Sequence, residues 1–170
     1  KVLSNYPAFR WYLITVICRD IGDWLVKVAN LLMIQEWRGS GTALSHLVLF
    51  SLIPKAVFAP VGGLLADRFD RRHLVIMVEA LSGCVVLGYQ IAYHYKSVEI
   101  LFAVTSLRSA LGAVHHSSTH AMIPLMVPNS QDMQYAGTLK TAVYGIMSMV
   151  GGLLAGSAAV TFGMDACYIL

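Results

Sequence analysis

Charge is what this sequence has least of. Asp, Glu, Lys and Arg make up 12% of its 170 residues, where a soluble domain carries about 25%. The mean hydropathy of +0.66 and the hydrophobic share of 57% match that deficit. A very apolar soluble domain is disfavoured, because its helices would need polar faces and these stretches show few. Cysteine is scarce as well. Cys18, Cys84 and Cys167 are odd in number, show no pairing pattern and fall in or beside apolar runs, so they read as small packing residues and not as a disulfide framework. No Asn-x-Ser/Thr acceptor occurs. The net charge of +3 is not gathered on one amphipathic surface and no nucleic-acid motif accompanies it, so nucleic acid is not an expected partner. The chain starts at Lys1 without a methionine and stops within an apolar run at 167–170; it reads as a piece of a longer protein.

What the sequence does have is apolar runs of about 20 residues, the length that crosses a bilayer as a helix. Five are expected, over 11–34, 43–66, 74–93, 98–123 and 138–160, and a sixth begins after Asp165 and is cut off. Tyr6, Phe9 and Trp11 stand before the first run as interfacial aromatics. Pro54 and Pro60 fall inside the second and should kink it, as membrane helices tolerate. Residues 37–42 and 94–97 read as short turns, and 125–137 as a loop carrying the turn chemistry of 128–132. The expected fold class is an all-α membrane protein, a transmembrane helix bundle over 1–170, with the lipid bilayer as its first partner.

The densest charge lies between the second and third runs, in Gly63-Leu-Leu-Ala-Asp-Arg-Phe-Asp-Arg-Arg-His-Leu74. Five charges in six residues, 67–72, are unusual between two apolar runs unless two spans turn there on the cytoplasmic side. With the amino terminus inside, the inner segments hold Lys1, Arg10, Arg68, Arg71, Arg72 and Lys140, and the outer turns only Arg38 and Lys96. Six against two predicts a multi-pass protein with a cytoplasmic amino terminus, or its stromal or matrix equivalent.

This hairpin resembles the loop between helices 2 and 3 of the major facilitator superfamily, close to G-x-L-A-D-R-x-G-R-R/K. Gly63, Leu65, Ala66, Asp67, Arg68, Arg71 and Arg72 stand in the matching places, and Asp70 replaces the second glycine, as in some drug- and siderophore-exporter branches. The resemblance implies a conformational switch loop in which Asp67 is the acid and Arg71 and Arg72 are its basic partners. Arg108 to Gly112 resembles the family's R-x-x-x-G motif, whose arginine is linked to proton coupling in several members. Gly22-Asp23 and the loop 123–128 also resemble those exporter branches. In the fifth run, Gly151-Gly-Leu-Leu-Ala-Gly156 sits where antiporters often carry G-P-x-x-G-G, with Gly152 in place of the proline and Ala155 in place of a glycine. The resemblance covers nearly the whole chain. It implies the amino-terminal half of a 12-helix fold, helices 1 to 5 and the start of helix 6, with the carboxy-terminal half as a missing partner.

Seven ionisable residues fall inside the expected spans: Arg19, Asp20, Asp23, Lys27, Lys55, Glu79 and Arg108. A charge at the bilayer centre costs about 2.5–3.5 kcal/mol even on the lenient insertion scale, so such residues mark a cavity or a partner. Asp23, Lys55 and Arg108 lie near the middle of their spans, the depth at which secondary transporters bind substrate. Asp20, Asp23, Lys27 and Asn30 form one helical stripe, with Asp23 within reach of both Arg19 and Lys27. Glu79 is expected under the hairpin, near Arg68 or Arg71. His115, His116 and His120 fall on the fourth run, where His116 and His120 are spaced to share a metal and histidine can relay protons; polar packing near the cytoplasmic exit is the expected role, and no metal or cofactor is expected. Gly152 and Gly156 suggest a small-xxx-small face for close helix approach.

The expected function is therefore a non-enzymatic secondary transporter working by alternating access on a small amphiphilic or anionic solute, with proton coupling. Asp20, Asp23, Lys27, Asn30, Lys55, Arg108, His115 and His116 would form the substrate and proton pathway. Gly63, Asp67, Arg68, Arg71, Arg72 and Glu79 would form the switch loop. An excess of positive charge near the midplane points to an anionic group on the substrate. The alternative is a transporter-derived structural subunit of a larger membrane assembly without transport activity; an intramembrane enzyme using the histidines would need further His or acidic ligands, and the sequence shows no second His cluster.

Overall fold

The computed structural model describes residues 6–162. Lys1, Cys167 and the expected start of a sixth helix lie outside the described residues. Five helices follow one another: α1 Pro7–Arg38, α2 Gly41–Arg68, α3 Arg71–Tyr95, α4 Val98–Met126 and α5 Ser130–Phe162. No strand occurs among the described residues. α2, α3 and α4 are each long and apolar enough to cross a membrane. α1 is longer, but Arg19, Asp20, Asp23 and Lys27 interrupt its apolar run.

The helices outrun the apolar runs. α1 has 32 residues, about 48 Å at 1.5 Å per residue, against a hydrocarbon core of about 30 Å. The greatest correction concerns 125–137, expected as a loop. α4 continues to Met126 and α5 starts at Ser130, leaving 127–129 as the connection. Asn129 starts α5, its side-chain oxygen accepting from the Gln131 N–H at 3.3 Å and its carbonyl from Met133 at 2.8 Å. The first turns of α5 look loop-like because they are polar, yet Ala136 on them is wholly buried.

The residues form two compact units, one of 1–29 with 122–170 and the other of 30–121. In the first, Phe9, Leu13, Val127 and Ala136 make a core flanked by Tyr6, Tyr12, Met126 and Leu139. The Tyr6 hydroxyl donates to Asp132 Oδ2 at 3.1 Å. Further along, Gly151 lets α5 close on α1, since a Cβ there would lie 2.7 Å from the Trp24 Cβ. The close approach thus falls on Gly151, whereas a Cβ on Gly152 or Gly156 would meet nothing within 4 Å.

In the second unit α4 packs against both α2 and α3. A Cβ on Gly62 would stand 2.8 Å from the Cα of Val114, so α2 and α4 touch backbone to backbone. Phe50 and Phe102 stack across the same pair at 4.8 Å. Between α3 and α4, Gly88 accommodates Val104, and buried Tyr89 shares a 3.5 Å hydrogen bond with Thr105. Trp37, at the end of α1, lies 6.4 Å from the ring of Tyr93 on α3. Pro54 lacks an N–H, which leaves the carbonyl four residues back, on Phe50, without its helical donor. Ser106 on α4 donates to it at 3.2 Å.

Candidate functional site

The charged hairpin is tighter than its composition suggests. α2 ends at Arg68 and α3 begins at Arg71, so only Phe69 and Asp70 lie outside helix. Asp70 is the N-cap of α3 and accepts from the Arg72 N–H at 2.8 Å, satisfying a donor that the helix start leaves open. That bond holds the Asp70 carboxyl below its ordinary value, helped by His73 at 3.3 Å. Asp67, Arg68 and Arg72 are exposed, and Gly63 is half-buried.

Arg71 does something the sequence does not announce. Its Nη1 donates to the Ala121 carbonyl of α4 at 2.7 Å, and its Nε to the Ala66 carbonyl of α2 at 3.4 Å. One guanidinium therefore ties the start of α3 to two other helices. Pro124 lies inside α4 just beyond and leaves the carbonyl of His120, the residue before Ala121, without its helical donor.

Glu79 projects from α3 toward α4, where its Oε1 lies 3.3 Å from His115 Nε2. The imidazole is nearly enclosed, at 13% exposure, while the carboxylate is 43% exposed. His116 and His120 face each other on the same helix, ring centroids 4.3 Å apart. No group of three or more metal-ligating side chains occurs among the described residues. Ser117, Ser118 and Thr119 return their hydroxyls to carbonyls of α4, the role that membrane helices give such residues. Lys55 is exposed on α2 beside Pro54, and Arg108 is half-buried on α4. Asn30 is buried.

In the first unit, the α1 stripe divides its contacts. Arg19 Nε lies 3.7 Å from Asp23 Oδ2, and the Lys27 ammonium stands 4.4 Å over the Trp24 ring. Asp20 keeps its Oδ2 buried without a hydrogen-bond partner among the described residues. Lys140 of α5, which sequence reasoning placed only in an inner segment, acts electrostatically on Asp20 and lies 5.9 Å from the Tyr12 ring. No local spacing joins residues 20 and 140, so this pairing has no sequence signal. At the start of α1, partial desolvation and the bond to Asp132 hold the Tyr6 phenol above its ordinary value.

The sequence matches the Major Facilitator Superfamily over residues 12–170. It is 32% identical over 136 residues to macrolide efflux protein A of Streptococcus pyogenes, covering 76% of this chain and 33% of that protein. An uncharacterized MFS-type transporter of Bacillus subtilis, YfiS, is 22% identical over 170 residues, covering 99% of this chain and 40% of that protein. Multidrug efflux pump Tap of Mycobacterium tuberculosis is 27% identical over 123 residues, covering 69% and 29%. The chain thus spans about a third of the length of the curated relatives it matches. No solved structure matches. Apolar helices of spanning length, the hairpin in register and a match over nearly the whole sequence lead to one assignment: the chain is part of an integral membrane protein and belongs to the Major Facilitator Superfamily.

Proposed function

We propose that the full-length protein is a secondary active transporter that exports a small amphiphilic solute by alternating access, coupled to protons. Family membership and the efflux names of its relatives support the class. The observation that carries the mechanism is the Arg71 contact. Its bonds to Ala66 and Ala121 are made by one side chain to backbone on two helices, and such a latch can open without unfolding either helix. A contact present in one conformation and absent in the other sets the balance between them. Asp67, Arg68 and Arg72, exposed at the same turn, are left for contacts made in the other state, with Gly63 and Glu79 completing the switch region.

On α1, the orphaned Asp20 Oδ2 is the acceptor to which a substrate donor would bind, because a buried acceptor left unmet is costly. Asp23, Lys27 and Asn30 continue that stripe. On α2, Lys55 has no ion pair or hydrogen bond among the described residues and offers a cation to an anionic group. Arg108, His115 and His116 are assigned to the proton path on α4. The amino terminus is assigned to the cytoplasm from the six-to-two bias in basic residues. Cysteine labelling of Ser97→Cys should occur from the outside.

Full-length protein in lipid vesicles, given a radiolabelled macrolide as probe and an imposed pH gradient, tests the reading. Gradient-driven movement is expected in the wild type and loss of it in Asp20→Asn. Absence of any solute movement by a folded full-length protein would favour the structural-subunit alternative.

A further inference from the structure

We propose that Glu79 and His115 form one ionisable unit at which the transport cycle takes up and releases its proton. The inference rests on the transporter reading above and names the group that carries the coupling. Glu79 is the eighth residue past the start of α3, and His115 lies eleven before the end of α4. At 1.5 Å per residue these are about 12 and 16 Å along the helices, within a hydrocarbon core about 30 Å thick. Two titratable groups of opposite kind therefore meet at 3.3 Å on two different helices of membrane-spanning length.

The charge of the pair follows its proton count. With one exchangeable proton between carboxylate and imidazole the unit is neutral overall; without it a net negative charge remains, and with two a net positive one. Loading and unloading then follow from a change in surroundings. The exposed carboxylate is the entry, and the enclosed imidazole is the holder. The proton comes from water, binds a lone pair of Glu79 Oε1 or His115 Nε2, and returns to water when the contact opens. No other bond forms or breaks.

Other charged groups lie on the elements around the pair. Arg108 lies seven residues before His115 on the same face of α4, about 10 Å away along the axis. His116 and His120 face one another on α4. On α3, Arg71, Arg72 and His73 lie toward the hairpin, where Arg71 and His73 have contacts of their own. On α2, packed on α4 at Gly62, the titratable groups are His46 and Lys55 toward one side and Asp67 and Arg68 at the hairpin. Glu36 and Arg38 end α1, beside the far end of α3 as the Trp37–Tyr93 contact shows. Glu99 stands at the start of α4, also far from the hairpin.

The test uses full-length protein in vesicles loaded with a pH-reporting dye, with radiolabelled macrolide on both sides for counterflow. Wild type should show counterflow and proton movement accompanying net macrolide flux. Glu79→Gln and His115→Gln should each lower the proton movement per macrolide carried in net flux at least ten-fold. The double variant should be no worse than either single one, as expected for groups acting as a unit. Glu79→Asp, which keeps the acid, should restore part of the proton movement and guards against a folding defect in the amide variants. Proton movement intact in Glu79→Gln overturns the inference and leaves the transporter reading standing; wild-type counterflow with no proton movement overturns the inference together with the proton coupling of that reading. Wild-type protein without counterflow overturns both.

Discussion

Ser106 on α4 gives its hydroxyl to the carbonyl of Phe50 on α2, the carbonyl that Pro54 deprives of a helical donor. A donor missing from one helix is thus supplied by a side chain on another. Ser106→Ala should destabilise the full-length protein by about 0.5–2 kcal/mol, the range for membrane side-chain bonds and orphaned acceptors. Restoring the N–H with Pro54→Ala should reduce the effect of Ser106→Ala. A double-mutant cycle read by unfolding in detergent checks the coupling; strict additivity would argue against it.

Arg71 reaches two carbonyls through a planar fork, which a lysine ammonium cannot reproduce. Both Arg71→Lys and Arg71→Met should therefore impair transport. Loss of a hydrogen bond from a charged donor, about 1.5–3 kcal/mol, changes a two-state balance by about ten- to hundred-fold. Accessibility of cysteines on the two membrane faces should shift in both variants. An Arg71→Lys protein with wild-type accessibility and rate would sink this account.

Adjacent glycines should behave in opposite ways. Gly62→Ala drives a methyl to 2.8 Å from the Val114 backbone, which has no flexible end to move aside. Gly63→Ala meets nothing within 4 Å. Lower folded yield is expected for the first, by about 1–3 kcal/mol of overpacking, and near-normal yield for the second. Gly151→Ala and Gly152→Ala repeat the contrast in α5, where Trp24 is the obstacle. Monodispersity on gel filtration reads all four.

Asp70 sets a pH dependence at the hairpin. Its folded value lies below the ordinary 3.8, so its stabilising effect is present above that value and is lost as pH falls through the lower, folded one. Thermal melts should show an acid-side loss of stability in the wild type that is smaller in Asp70→Asn, which keeps a capping oxygen but cannot titrate. Identical acid-side slopes would contradict the assignment.

Much of the fold was legible because a membrane span writes itself as a long apolar run. The ends were not, since helical hydrogen bonding continues past the hydrocarbon and the polarity that suggests a loop at 130–137 is confined to part of the helix surface, leaving Ala136 buried. The hairpin residues could be found from their spacing. Their contacts could not, because Arg71 bonds to a carbonyl and every residue has one. Glu79 and His115 are 36 positions apart, and nothing local distinguishes His115 from His116 as the one that meets α3. On α1 the spacing put both Lys27 and Arg19 within reach of Asp23; the structure sets Arg19 3.7 Å from it and stands the Lys27 ammonium over the Trp24 indole, a contact that spacing alone does not announce.

The brevity of the α2–α3 connection has a mechanical consequence. Phe69 and Asp70 together are the only slack between two rods of 28 and 25 residues, and two residues reach at most about 7 Å. A rotation of α2 about its own axis is therefore passed to α3 as torque instead of being absorbed by a loop. The clasp at Ala121 extends that stiff linkage to α4. While that clasp is closed the three helices turn together, with the bending left to the proline-marked points at 54, 60 and 124.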